Sequence, residues 1–239
     1  MPLTDYQEEY LRVESALLAL GKTLSSEEIK KMVIDDLTGI ILLSLEAKQN
    51  GFQLSDPDID LQMDQINSKL GGDQELNIWL QNNHFSLESF RRSIVRNAAA
   101  AWQRDKIRES VGNTADQIHA RQILFTLESS ANNYRQRVDN GSDFSELAAE
   151  ADPVTKGDLG WFPKGYLLQP EVEETVFSLQ VGEVSPVIKS EIGFHLIQVI
   201  ERDPQRQLSA EARIALQNEA LEEWVNQAKS GASIEILIP

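Results

Sequence analysis

Apolar residues recur at three- and four-residue spacing from the start of the chain. In "DYQEEYLRVESALLAL" the positions Tyr6, Tyr10, Val13, Leu17 and Leu20 share one face, which predicts an amphipathic helix. "LSSEEIKKMVIDDLTGIILLSLEAKQNG" repeats the pattern, entered through a Ser25–Glu28 capping box and left at Asn50–Gly51. "LSDPDIDLQMDQINSKLGG" follows the same plan, with Ser55 as cap, Pro57 in the first turn and a double-glycine stop. "DQELNIWLQNNH" predicts a short helix, and "SLESFRRSIVRNAAAAWQRDKIRESVG" a long one behind Ser86. Nothing repeats between these helices beyond the cap logic.

Near Gly112 the texture changes. "HARQILFTL" is a β-type run, and "SSANNYRQRVDNGSDFSELAAEA" predicts two helices broken at Asn140–Gly141. A glycine-punctuated loop, "GDLGWFPKG", leads into the helix "PEVEETVFSL". "VGEVSPVIKSEIGFHLIQVIE" then gives two strands turned at Glu191–Gly193. That order predicts an α+β arrangement around a small antiparallel sheet. Helix returns in "SAEARIALQNEALEEWVNQAKSG", where Ala212, Leu216, Ala220, Trp224 and Ala228 form a stripe flanked by Leu221 and Val225. Such a stripe needs a partner face, and the N-terminal helices are the expected one. The expected division is a helical domain over 1–112, an α+β domain over 113–204, and a helix over 205–239 that packs back on the first.

Composition narrows the function. With 41% hydrophobic and 25% charged residues, the 239-residue chain can bury a proper core. A formal net charge of −16 argues against nucleic acid as a partner and against anionic membrane surfaces. The absence of cysteine excludes disulfides and a thiolate nucleophile, and the histidines at 84, 119 and 195 are too scattered for a zinc site by local spacing. His84 and His119 read as surface or helix-end residues. Apolar runs such as Ile40–Leu43 fall far short of a membrane span. The opening "MPLTDYQEEYLRVE" has no basic segment followed by an apolar one, so the expected location is cytoplasmic.

Five stretches, in order, carry a family pattern: "ARQIL", "GSDFSELA", "KGDLGWF", "PEVEETVFSLQVGEVSPV" and "IGFHLIQV". Together, over roughly residues 116–203, they resemble the parvulin family of peptidyl-prolyl isomerases. The flanking helices, through Ile107 and again from Ser209, resemble the SurA-like N-terminal domain of bacterial foldases, most recognisably in "SLEAKQNGFQLSDPDID". The first resemblance implies a small apolar pocket for a proline ring, formed by Leu159, Phe162, Leu168 and Val172. Met or Leu is usual in the family at the place of Leu168, and Phe at that of Val172. One extra residue between Gly165 and Leu168 leaves Leu167 as an alternative to Leu168.

Beside the pocket, the family pattern implies a hydrogen-bonding group of His195, Gln122, Asp152 and Ser190. Gln122 stands where the family has a first histidine; glutamine can donate and accept but cannot titrate. Asp152 falls at the place of a Cys or Asp, before a loop about two residues shorter than usual. Ser190 matches a Thr or Ser. Such a site calls for no cofactor and no metal, because rotation about X–Pro makes no bond. Asp158 reads as a turn brace, Gly157, Gly160 and Gly193 as backbone devices, and the glutamates of "PEVEETV" as a helix N-terminus. No basic loop follows "ILFTL", which argues against phosphate-directed specificity.

The resemblance implies a foldase acting on X–Pro bonds of unfolded or extended polypeptide. Gln122 keeps a second class open. That is a peptide-binding chaperone or escort with little turnover, serving for instance one export or peptide-maturation system.

Overall fold

The computed structural model describes residues 1–233 and 235; the rest of the expected 205–239 segment lies outside them. The described chain is helical apart from one four-stranded sheet and divides into two units. One comprises Met1–Ser110 with the residues from Leu221 onward, and the other Val111–Ala220.

The first unit holds α1 (Leu3–Ala19), α2 (Ser26–Gln49), α3 (Asp56–Leu70), α4 (Asp73–Asn82) and α5 (Leu87–Ser110). The caps form as the sequence requires. Ser25 Oγ accepts from the Glu28 N–H while the Glu28 carboxylate accepts from the Ser25 N–H, and Ser55 and Asp58 do the same for α3. Tyr6, Ile29, Val33 and Leu37 form one apolar cluster, and Leu76, Leu80 and Phe90 another. α1 is also tied to α5 by charge: the buried Asp5 carboxylate accepts from Arg92 Nη2 at 2.6 Å and Arg96 Nη1 at 3.1 Å. Burial opposes ionisation of Asp5, yet the two guanidiniums hold its pKa below the ordinary carboxylate value.

The second unit is built on β1 (Thr114–Phe125) and β4 (Gly193–Gln207), paired antiparallel from Thr114↔Gln207 to Phe125↔Phe194. β2 (Asp158–Pro163) and β3 (Ile188–Ser190) flank them in the order β2-β1-β4-β3. Between the strands run α6 (Glu128–Asp139), α7 (Phe144–Ala151) and α8 (Pro170–Ser178). Side chains of paired strands alternate between faces. On one face Ile118, Ala120, Phe162, Ile197 and Val199 close against Val172, Val176 and Leu179 from α8. On the other, Ile123 and Leu196 pack with Phe144, Leu147 and Ala148 of α7, joined by Tyr134 and Val138 of α6.

α9 (Ala210–Gly231) begins in the second unit and ends in the first. Within the first unit, Lys229 Nζ lies 2.5 Å from Asp35 Oδ1.

Three strands differ from expectation. The stretch read as a loop, "GDLGWF", is strand β2, pairing His119↔Trp161 and Ile118↔Phe162. Its glycines masked the alternation, since a bulge between Ala120 and Arg121 interrupts the register. β4 also runs on through Asp203 and Pro204 to Gln207, and β1 starts correspondingly early at Thr114. The edge of β4 away from β1 is bonded by β3 and by residues 182–185 only as far as Val199, so among the described residues Pro204 lies on a stretch paired on one edge and is tolerated there.

Gly157 is the backbone position most tightly held. It has φ +71°, its carbonyl accepts from the Gln122 N–H at 2.8 Å, and an added Cβ would lie 2.0 Å from the Gln122 carbonyl oxygen. Gly141 has φ +91° with open space around it. Gly141→Ala should therefore cost about 1–2 kcal/mol for the left-handed conformation alone. Gly157→Ala should cost more than about 3 kcal/mol, because strain and clash add. Urea unfolding measures both, and equal losses would contradict the close approach.

Candidate active site

The face that carries the α8-covered core continues past it along β1 and β4. Gln122 and Leu124 follow Ile118 and Ala120 on that side, and His195 precedes Ile197, with Leu124↔His195 and Gln122↔Ile197 directly paired. Gln122 and His195 are thus diagonal neighbours, the reach at which long side chains meet across a sheet. His195 Nδ1 lies 3.3 Å from Gln122 Oε1, and its Nε2 lies 2.7 Å from Ser190 Oγ.

The chain of bonds fixes the proton. With the Gln122 carbonyl as acceptor, His195 carries its hydrogen on Nδ1, and Nε2 accepts from the Ser190 hydroxyl. Ser190 is itself held by the turn, its Oγ accepting from the Ile192 N–H at 3.2 Å. Gly193 makes the turn possible: its φ is +142°, and a Cβ there would lie 2.4 Å from the Phe125 carbonyl oxygen. His195 is 1% exposed. Its desolvation outweighs the attraction of Glu171 and lowers its pKa below 6.5, so the ring is neutral at neutral pH.

Gln122 also borders an open cleft of about 270 Å³, with Leu124, Asp152, Thr155, Gly157 and Leu159 among its walls. Asp152 shares this cleft but not the His195 chain. Its carboxylate accepts from the N–H groups of Val154 (3.0 Å) and Thr155 (3.2 Å) and from the Thr155 hydroxyl, closing the turn that ends at Gly157. Those bonds, the Thr155 hydroxyl first, lower its pKa. The shortened loop before Gly157 has made this aspartate a turn-former. Asp158 braces the next turn, accepting from the Gly160 N–H at 2.8 Å, with His119 Nε2 also 2.8 Å from the same oxygen.

The four expected pocket residues do not all present surface. Leu159 is half-buried, bordering both the cleft and the α8-covered core. Phe162 and Val172 are 0% and 2% exposed, so they lie within the core and present no surface. Leu168 is 90% exposed, whereas Leu167 packs against the cluster that holds Phe162 and Val172. The extra residue after Gly165 has shifted the inward position by one. Trp161 points to the other face, stacked on His119 at 5.5 Å with the Arg206 guanidinium 4.0 Å from its ring centre. Among the described residues no group of three or more His, Asp or Glu is placed to hold a metal ion.

Residues 106–203 match the family model described as the PPIC-type PPIASE domain. This segment belongs to the parvulin family. Over 189 residues the chain is 30% identical to the foldase protein PrsA of Geobacillus kaustophilus, covering 75% of this chain and 65% of that protein. Over 148 residues it is 38% identical to the chaperone SurA of Nitrosospira multiformis, covering 53% of this chain and 33% of that one. The chain therefore spans less than two thirds of either relative. The crystal structure of the peptidylprolyl isomerase PrsA from Bacillus cereus superposes with a TM-score of 0.52 at 19% identity, over 91% of this chain and 92% of that one, which shows a shared fold.

The lowered pKa of His195 has a consequence for the parvulin domain. A histidine whose folded pKa lies below its unfolded value contributes stability that is fully present above the unfolded value of about 6.5. That contribution is lost as pH falls through the folded pKa. Unfolding free energy should accordingly drop between pH 7 and pH 5, with a smaller drop in His195→Gln. Urea unfolding of the two proteins across that range checks this; parallel curves would mean that His195 is not the titrating group.

Proposed function

We propose that the chain is a foldase whose parvulin domain catalyses cis–trans isomerisation of X–Pro bonds in unfolded or extended polypeptide. The observation that carries this is the Ser190–His195–Gln122 chain, which ends at the cleft between Leu124 and Leu159.

The chemistry is matched to what these groups supply. Rotation about the peptide bond faces a barrier of roughly 18–20 kcal/mol because the planar amide is resonance-stabilised. The planar form is also the more charge-separated, so removing water from the carbonyl oxygen favours the twisted form. Leu159 provides apolar surface for that purpose. A donor aimed at the proline nitrogen, whose lone pair localises during rotation, stabilises the twisted amide more than either planar isomer. Gln122 is suited to this, because His195 holds its carbonyl end and the amide nitrogen is the opposite end of the group. His195 and Ser190 act as positioning residues, and no covalent intermediate or titration is needed.

A holding role for the helical unit accompanies this reading. Its surface exposes Leu11, Leu18, Leu20 and Leu61, the kind of dispersed apolar side chain that gives weak contact with unfolded chain. One of the similar proteins is named a chaperone.

The test is a protease-coupled or NMR exchange assay on a short X–Pro peptide. Wild type should accelerate exchange, and His195→Gln should lower kcat/KM about tenfold, about 1.4 kcal/mol of transition-state stabilisation, while peptide binding persists. Gln122→His should raise turnover if glutamine has detuned the site. Peptide-induced shifts confined to the helical unit, with Leu159 silent, would leave the holding role alone standing.

A further inference from the structure

We propose that Glu173 is a positioning residue of the isomerase site, whose buried carboxylate turns Leu167 inward as the apolar wall of the proline pocket. This rests on the isomerase reading above and adds a residue and a specificity element to it.

The loop from Lys164 to Gln169 joins β2 to α8 and has no secondary structure to fix it. Glu173 is 9% exposed, among the few carboxylates of the chain that are buried. One of its oxygens, Oε1, accepts from the backbone N–H groups of both Tyr166 and Leu167 at 3.0 Å. Side chains in a helix lean toward its N-terminus, so a glutamate one turn into α8 reaches back over the loop that precedes it. The two bonds set consecutive peptide planes, and with them the direction of the Leu167 side chain. Leu167 then packs on the cluster of Phe162 and Val172, while its neighbour Leu168 is left 90% exposed.

The other end of the loop is closely approached by a second carboxylate. Gly165 has φ +88°, and a Cβ there would lie 1.8 Å from Glu219 Oε2 of α9. Glu219 thus leaves room only for a glycine at this end, while Glu173 binds the backbone at the other. A helix-dipole role alone would leave Glu173 exposed, as it leaves Glu171 and Glu174. Burial against two N–H donors is what distinguishes it.

Leu167 packs on the core cluster and is not among the walls of the cleft that Gln122 borders, so its contact with a proline ring would be equal in the planar and twisted states. Loss of such uniform binding raises KM and spares kcat. In the full chain, Glu173→Ala should raise KM for a tetrapeptide with one Leu–Pro bond roughly fivefold, with kcat within about twofold. Glu173→Gln keeps an oxygen acceptor in place and should restore KM to near the wild-type value. Leu167→Ala should reproduce the KM rise with Glu173 intact, and Leu168→Ala should not, which decides the matter even where Glu173→Ala fails to fold.

A fall in kcat at constant KM, no recovery in Glu173→Gln, or a larger effect at Leu168 than at Leu167 would overturn the proposal. Wild-type turnover matched by Glu173→Ala would overturn the clamp alone. A wild type that neither turns over nor binds the peptide would overturn the isomerase reading together with it.

Discussion

The pairing of β1 with β4 is the constraint on which the second unit depends. These strands come from its two ends in sequence, and they run antiparallel over almost their whole lengths. All that lies between is an excursion from this ladder: α6 and α7 onto one face, β2 onto the free edge of β1, α8 onto the other face, and β3 onto β4. Such long-range pairing costs chain entropy before its contacts repay it, so the apolar clusters on both faces are a requirement and not an embellishment. The same ladder brings Gln122 and His195 together across 73 residues of sequence. A one-residue slip would turn both to opposite faces and dismantle the site with the core.

Placing the site at the end of a core face explains its electrostatics. His195 takes the position before the buried Ile197 on that face, where water is excluded, so an imidazolium there is penalised. A neutral ring with both nitrogens bonded is the state that this environment accepts. Glutamine in place of a second titrating ring is consistent with that. It gives an acceptor to the His195 Nδ1–H while adding no group that must choose a protonation state. The resulting chain is pre-set, with one tautomer and one direction of donation through to the cleft.

How far all this could be read from sequence followed the range of the interactions involved. The boxes at Ser25–Glu28 and Ser55–Asp58 are complete within four residues, and they were legible. The helical periodicity and the α+β order were legible for the same reason. His195, Gln122 and Ser190 could be matched to a family pattern, and the structure brings these three into one chain of bonds. β2 was hidden because its glycines and bulge break the alternation that marks a strand, and only the partner strand restores it. Phe162 and Val172 were taken for pocket residues because apolar residues of core and pocket look alike in sequence. In sequence Glu173 reads, with Glu171 and Glu174, as part of a helix N-terminus; what separates it is the loop folded over it, which no local pattern records.

The acidity of the chain takes on a structural meaning in this light. Asp143 caps α7, Asp152 closes the turn before Gly157, Asp158 braces the turn at Gly160, Glu173 holds Tyr166 and Leu167, and Glu183 accepts from the Gln180 N–H. In each case a carboxylate satisfies backbone donors in an irregular segment. A chain without cysteine has no disulfide to tie such segments, and charge-assisted bonds to N–H groups do that work locally. The arrangement carries its own sensitivity. Asp152 and Asp158 both have lowered pKa values, so the stability they contribute is present above the ordinary carboxylate range and lost as pH falls through the folded values. Both aspartates stand on the rim of the cleft, so this sensitivity falls on its walls, and the Asp116–Arg202 pair across β1 and β4 shares it.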